Sequence, residues 1–248
     1  MKYLDQVIIT DNFDDVKSQY MAGSLVVTDN QQVIDACRSL RIPVAAWEHD
    51  DITGLSCDYI LTDIDQVEDE VFENIYRRWA GIPWDIAETD RCYIREFELD
   101  DLDEIYDMFL EPGATDFIPP LYEYEKEREY RRQYIDQIYK VRGFGQWVIV
   151  DKETYELVGE AGIEVKKNCF LENQAELGYL IAPHRQREGL GYEVCSCLLK
   201  LAKERYGFDS VMARCHAENV ASVGLLEKLG FSYESTLEDG LLRYLIRL

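Results

Sequence analysis

The sequence predicts an α/β protein in two parts: a small N-terminal parallel α/β lobe, then a larger α+β domain with antiparallel strands. Three observations carry this. Over the first 90 residues, short apolar runs alternate with amphipathic stretches of helical period. Beyond them the order changes to consecutive strand-like runs separated by turn residues. Finally, a strand stopping at Pro183 leads through a short loop into an apolar-periodic helix that opens at Gly189.

In the first part, residues 6–10, 24–28, 43–47 and 58–62 are near-continuously apolar, as suits strands buried on both faces. Residues 31–40 put Val33, Ile34, Cys37 and Leu40 on one helical face, and residues 67–79 place Val71, Phe72, Ile75 and Trp79 likewise. Gly81 and Pro83 end that pattern, and the stretch up to Arg91 reads as a linker, giving domains 1–90 and 91–248. The second part opens with a strand over 92–97 and a helix from the cap Asp100-Asp101 through Leu110, with Ile105 and Phe109 inward. A Gly-Pro loop, 111–121, precedes a charged helix over about 123–141 that lines up Tyr130, Tyr134, Ile138 and Val141. Strands follow at 147–150, 157–165 and 174–181, with turns at Asp151-Lys152 and Asn168. The helix from Gly189, a strand over 210–216, a helix over 219–230 and late strands near 234–241 complete the chain.

Bulk properties exclude several function classes. The chain has 248 residues, 47% of them hydrophobic and 12% aromatic, values of a globular protein. No apolar run approaches the roughly 18 residues that span a bilayer, and the N-terminus has no basic region followed by a long apolar stretch, so no signal peptide is expected. With 49 Asp and Glu against 26 Lys and Arg, the net charge is −23. A field of that sign repels nucleic acid and anionic membrane surfaces; it either favours a cationic or amine substrate or simply keeps the protein in solution. The seven cysteines are scattered, and the one-residue spacing of Cys195 and Cys197 fits neither a zinc clip nor a CxxC pair. Reduced thiols in a cytoplasmic protein are the expectation, with no bound metal and with homodimerisation open.

The first part repeats a motif: ITDN at 9–12, VTDN at 27–30 and LTDID at 61–65. Helix capping accounts for such residues after a strand. The alternative is a cation rim of Asp11, Asp29, Asp63 and Asp51 at the sheet's carboxyl edge. The stretch VVTDN…IPVAAW…CDYILTDIDQV faintly resembles the later part of a haloacid dehalogenase-like phosphatase core. That family's Asp-x-Asp nucleophile motif is absent, because Asp11-Asn12-Phe13-Asp14 has the wrong spacing, so the lobe is expected to be non-catalytic.

The stretch AELGYLIAPHRQREGLGYEVCSCLLKLAKERYG carries more chemistry. Unpaired N–H groups at a helix start converge on one spot that the helix dipole makes positive, which suits a pyrophosphate. Gln186-x-x-Gly189-x-Gly191 matches the signature of the GNAT superfamily of N-acetyltransferases, and Asn219 to Phe231 (NVASVGLLEKLGF) resembles that family's N-x-x-S/A…E-K-L-G-F helix. The opening YIREFELDDLDEIY is similar to the family's first strand and helix, so the likeness covers about residues 92–248. ELGYLIAP…GYEV…NVASVGLLEKLGF is similar to the RimJ/RimL-type branch.

The resemblance implies a mixed, mostly antiparallel sheet flanked by helices, and acetyl-coenzyme A as co-substrate. It also implies direct transfer to a primary amine, on a small molecule or a peptide N-terminus. It assigns the pyrophosphate to Gln186, Arg187, Glu188, Gly189, Leu190, Gly191 and Tyr192, and the pantetheine arm to the backbone of Leu180 and Ile181. Asn219 would hydrogen-bond the cofactor arm, or simply cap its helix. Glu176 is the candidate base, with Glu160 its rival. The family's tyrosine acid falls at Leu226, so Ser222 and Tyr179 are the candidates for assisting the leaving thiolate. Acceptor choice is assigned to loop 111–121, with Phe117, Ile118, Pro119, Pro120 and Tyr122 as an apolar wall and Glu123 and Glu125 able to meet a cation. The competing reading is a sensor that binds acetyl-coenzyme A without turnover.

Overall fold

Asn12 and Asn30 start the first two helices: their side chains accept the N–H groups of Asp14 and Gln32, each at 2.9 Å. Thr10 and Thr28 in turn accept from the N–H groups of Asn12 and Asn30. The Thr-Asp-Asn repeat is therefore a capping device twice over. The computed structural model in which this is seen describes residues 2–166, 169 and 171–248; the turn expected at Asn168 lies outside them.

The chain forms two compact units, Met1–Trp84 and Asp85–Leu248. In the first, β1 (Gln6–Ile9), β2 (Ser24–Thr28), β3 (Val44–Trp47) and β4 (Ile60–Leu61) form a parallel sheet in that order. Alternate residues of β2 face opposite sides. Val26 joins Val16 of α1 (Phe13–Gln19) and Val33, Ile34 and Cys37 of α2 (Gln31–Ser39), while Leu25 and Val27 meet Phe72 and Ile75 of α3 (Asp69–Ala80). Four expectations change here. The seven-residue α1 is an addition, and β4 has two residues rather than five. Leu40 lies past the end of α2 and is exposed, and Val71 and Trp79 flank the buried stripe of α3 rather than joining it.

At the carboxyl edge of this sheet, Ile9, Thr10, Asp11, Val27, Thr28, Asp29 and Trp47 line a cleft of about 180 Å³. Of the alternative acidic rim, Asp11 and Asp29 line this cleft but Asp51 and Asp63 do not. Asp63 instead accepts from Gln66 at the start of a 3-10 turn, and Asp29 pairs with His49 at 3.3 Å. Among the described residues, no group of three or more His, Cys, Asp or Glu could hold a metal ion.

The second unit is an eight-stranded sheet. Its strands are β5 (Asp85–Glu88), β6 (Cys92–Arg95), β7 (Gln146–Asp151), β8 (Leu157–Glu164), β9 (Gln174–Ile181), β10 (Ser210–Cys215), β11 (Ser232–Thr236) and β12 (Leu242–Arg247). The order is β11-β12-β10-β9-β8-β7-β6-β5, and only β9 and β10 run parallel. β5 occupies residues read as linker: Ile86, buried, gives the run Asp85–Glu88 an apolar inward position. The last two strands bracket the stretch 237–241, which is their turn rather than a strand.

Helix α4 (Leu102–Leu110) and helix α7 (Leu190–Glu204) both pack on β8, and α7 also covers β9. Leu190, Val194, Cys195, Leu198, Leu199 and Ala202 recur at helical spacing and form the buried stripe of α7. The charged helix divides into α5 (Tyr124–Tyr134), five π-helical residues Ile135–Tyr139 and α6 (Lys140–Arg142). The wider π turn advances the register. Tyr139 is therefore buried at 2% exposure, whereas Val141, expected inward, is 77% exposed. Helix α8 (Val220–Lys228) follows β10, with Leu226 fully buried.

The packing of β7 on β8 can be tested at one glycine. A Cβ at Gly162 of β8 would overlap the carbonyl oxygen of Gly145 and the Cα of Gln146, so Gly162→Ala forces β7 and β8 apart. We expect urea denaturation to show a loss of about 1–3 kcal/mol, as overpacking does; a wild-type midpoint would contradict the close approach.

A pH-dependent test concerns Asp151 at the β7–β8 turn. It accepts the N–H groups of Glu153 (2.8 Å) and Thr154 (3.0 Å) and the Arg185 guanidinium (2.8 Å). The Thr154 N–H and then Arg185 hold its carboxyl down, from an ordinary 3.8 to about 2. A carboxyl depressed in the folded state stabilises above its unfolded value, and that contribution disappears as pH falls through the folded value. The stability gap between wild type and Asp151→Asn should be constant above 3.8 and close toward about 2. A gap independent of pH across that window would contradict the assignment.

Candidate active site

The site begins where two strands part. β9 pairs with β10 at only three positions, Gln174 to Glu176 opposite Ser210 to Met212. Beyond them β9 continues along β8 to Ile181, and β10 continues along β12 to Cys215. The Ala182 N–H donates to Val158 O of β8 at 2.9 Å. By strand alternation, the backbone groups of Gly178 and Leu180 also turn to β8, and those of Leu177, Tyr179 and Ile181 turn to the opened side. This corrects one expectation. Ile181 presents its backbone to the cleft, but Leu180 does not, and Tyr179 takes its place.

The loop after β9 supplies the second element. Pro183–Arg185 makes one 3-10 turn, and the Gln186 side chain donates to Ile181 O at 3.0 Å, folding the loop back over the strand end. Arg187 (φ 67°) and Gly189 (φ 87°) are both left-handed, so the backbone reverses twice before α7. Within α7 the first N–H to donate back is that of Glu193, to Gly189 O. Among the described residues, the N–H groups of 187–192 have no acceptor. Unpaired N–H groups at a helix start can receive an anion, and residues 187–192 are the candidate cradle. Gly189 is required by its left-handed backbone. Gly191 has a different reason: a Cβ there would sit 3.1 Å from Leu225 of α8 and 3.6 Å from Ile181.

Two arginines brace the cradle. Arg185 spans Asp151 and Glu188. Arg91, between β5 and β6, donates to Glu188 O at 3.0 Å and forms an ion pair with Glu193 at 2.7 Å. Sequence reasoning misses Arg91. Its partners lie 97 and 102 positions away, and no local pattern in the sequence connects them.

The candidate catalytic groups fall on two faces of β9. Glu176 is 6% exposed, and its Oε1 accepts from Arg214 Nε (3.1 Å) and Nη2 (2.9 Å). Its Oε2 is buried with no hydrogen-bond partner. Glu164 lies opposite it in register, and the Lys166 ammonium is 3.9 Å away. Glu160 is held by Arg131, which also binds Glu127, so its oxygens are occupied by a fixed partner. Of the two, Glu176 has the free oxygen.

On the other face, the Tyr179 hydroxyl is 2.8 Å from Ser222 Oγ. Burial pushes the Tyr179 phenol up, outweighing the Ser222 hydrogen bond, so it keeps its proton at neutral pH. Asn219 caps α8, its Oδ1 accepting the Ser222 N–H at 3.0 Å, which fixes the serine beside the tyrosine. The carbonyl end of Asn219 is therefore spent on the cap, leaving its amide NH₂ as the group that can reach a ligand.

The loop expected to select the acceptor is tied to both strand ends. Glu111 accepts from His184 N (3.1 Å) and bonds His184 Nδ1 (2.8 Å), just after β9. Phe117 lies 5.9 Å, ring to ring, from His216, just after β10. Its far end carries Tyr122, whose ring holds the Lys126 ammonium at 4.0 Å.

Residues 91–232 match the acetyltransferase (GNAT) domain family. The chain is similar to the uncharacterized N-acetyltransferase YjdG of Bacillus subtilis, 34% identical over 92 residues that cover 36% of this chain and 52% of that protein, about half its length. Its fold is similar to the GNAT-family acetyltransferase of Bacillus anthracis, with TM-score 0.55 and 20% identity over 64% of this chain and 96% of that one. It is also similar to spermidine N-acetyltransferase of Vibrio cholerae, solved with CoA and spermine, with TM-score 0.54 and 19% identity over 63% of this chain and 95% of that one. With more than half of its residues matched and a mostly antiparallel sheet opened between β9 and β10, the chain belongs to the GNAT acetyltransferase family, and its second unit is an acyltransferase domain.

Proposed function

We propose that the Asp85–Leu248 unit transfers the acetyl group of acetyl-coenzyme A to a primary amine, on a small molecule or a peptide N-terminus, in a ternary complex. One observation carries this reading: the β9–β10 pairing ends after Met212, beside a cradle of unpaired N–H groups at 187–192. The opened edge at Tyr179 and Ile181 suits an amide-bearing arm, and the cradle suits a pyrophosphate. When bound, acetyl-coenzyme A supplies an acetyl thioester, whose C–S bond breaks as the acyl carbon bonds to the acceptor nitrogen. Glu176 takes the proton that the ammonium must lose, through its free Oε2 or one water. Tyr179, held by Ser222, donates a hydrogen bond or its proton to the departing sulfur. Binding both reactants in one cleft supplies the orientation term.

Within the family, the motif ELGYLIAP…GYEV…NVASVGLLEKLGF supports a RimJ/RimL-like placement. The Vibrio cholerae neighbour, a spermidine N-acetyltransferase solved with spermine, supports small amines as the first acceptors to test. Among the described residues, no helix is long and apolar enough to cross a membrane. All seven cysteines are free, which supports a reducing, cytoplasmic setting. For Met1–Trp84 we propose a module without chemistry of its own, related to haloacid dehalogenase-like cores, that helps choose the acceptor. Its Thr-Asp-Asn motifs are used in capping.

Glu176→Gln should lower turnover about 10²–10⁴-fold, the range for losing a general base, with coenzyme A affinity kept. Thiol release with an amine panel and calorimetry with coenzyme A measure the two. Full turnover in this variant would remove Glu176 as base, and cofactor binding by wild type without turnover on any amine would favour the sensor reading. For the first unit, Mg²⁺ should produce no dose-dependent rise in melting temperature. A rise abolished by Asp29→Asn would contradict the inert-module reading.

A further inference from the structure

Arg91 is the strongest unassigned feature of the second unit. Its backbone N–H and its whole guanidinium are bound at once, Nη2 to Glu193 Oε2 at 2.7 Å. Its backbone N–H donates to Glu193 Oε1 (2.9 Å), its Nε to Glu193 Oε2 (2.8 Å), and its Nη1 to Glu188 O (3.0 Å). Its Nη2 lies 3.7 Å from where a Cβ of Gly189 would be, so the guanidinium is seated against the loop rather than extended into solvent. Glu193 stands in the first turn of α7. Burial pushes its carboxyl up, but Thr89 and then the Arg91 contacts pull it below its ordinary value, so it is charged at neutral pH.

That charge creates a difficulty which Arg91 resolves. A carboxylate in the first turn of α7 satisfies the helix dipole, yet it repels any phosphate brought to the same end. The chain as a whole, at −23, repels it further. Of the loop's two arginines, Arg185 is already shared between Asp151 and Glu188, and Arg187 is exposed at the first left-handed residue. Arg91 cancels the Glu193 charge, and by holding Glu188 O it fixes the peptide between the two left-handed residues, Arg187 and Gly189.

We infer that Arg91 is a positioning residue for the anionic end of the cofactor: it shapes the 186–192 cradle and removes the Glu193 charge from beside it. The inference rests on the proposed reading that this cradle holds the pyrophosphate. Lysine is a poor replacement, because a single ammonium cannot fork to Glu193 and Glu188 O together.

Calorimetry with coenzyme A on the full chain, alongside melting temperature, tests this. The reading requires wild-type binding, and its absence would overturn both the reading and the role of Arg91. Given wild-type binding, Arg91→Ala should weaken affinity about tenfold or more, the scale of a lost charge-assisted contact pair. Arg91→Lys should restore melting temperature more fully than affinity. Arg91→Ala combined with Glu193→Gln should recover part of the lost affinity, since the uncancelled carboxylate is then gone. Unchanged affinity in Arg91→Ala would overturn the role. So would a loss that Glu193→Gln leaves untouched and that follows melting temperature across all variants, which would mark Arg91 as a structural brace only.

Discussion

The second unit depends on one interruption, the end of β9–β10 pairing after three residues. A sheet interior normally satisfies every backbone group, and leaving a row of them unpaired is costly. Here the cost is confined to one side of Tyr179 and to the Ile181 N–H, because the Gln186 side chain donates to Ile181 O at 3.0 Å. β8 still pairs with β9 from Glu176 to Ile181, across the whole opened stretch, and β12 still pairs with β10 to Cys215. The strands on either side thus hold the opening at a fixed width. The opening also sets where everything else must be: the cradle follows β9, the Tyr179–Ser222 pair flanks it, and the 111–121 loop is tied to both strand ends through His184 and His216.

Charge in this acidic unit is arranged differently on the Glu176 face and at the start of α7. On the Glu176 face, carboxylates are matched to arginines and lysine: Glu160 to Arg131, Glu164 to Lys166, Glu176 to Arg214 and Glu234 to Arg243. Buried charges are tolerated only in such pairs. Glu176 Oε2 is an exception, a buried oxygen without a hydrogen bond. At the other end, the cradle relies on N–H groups and on Arg91 and Arg185, which neutralise nearby acids. The proposed pyrophosphate site is thus a place where the acids nearest the N–H groups are neutralised, in a chain whose net charge is −23.

The parts legible in the sequence are those that obey a local period or a fixed loop spacing. The buried stripe of α7 repeats at helical spacing, and Gln186, Gly189 and Gly191 stand at consecutive short intervals, so both can be read directly. Elements decided by long-range pairing cannot. β5 is a strand because an edge is available beside β6, not because Asp85–Glu88 favours strand. The expected register of the helix over about 123–141 fails at its π turn, which moves Tyr139 inward and Val141 out. Arg91 is invisible because its meaning lies entirely in Glu188 and Glu193, and Leu180 is misjudged because strand alternation depends on a pairing partner. The seven-residue α1 buries a single residue, Val16, too little to produce a periodic pattern.

The central claim is that one ligand occupies the opened β9 edge and the N–H cradle together. Amide chemical shifts followed during a coenzyme A titration test it most directly, because each N–H reports its own new acceptor. The account predicts saturable shifts at residues 187–192 and at Tyr179 and Ile181, with the amides of Gly178 and Leu180, which face β8, far less affected. Shifts confined to residues outside the cradle, or no saturable shifts at all, would contradict it.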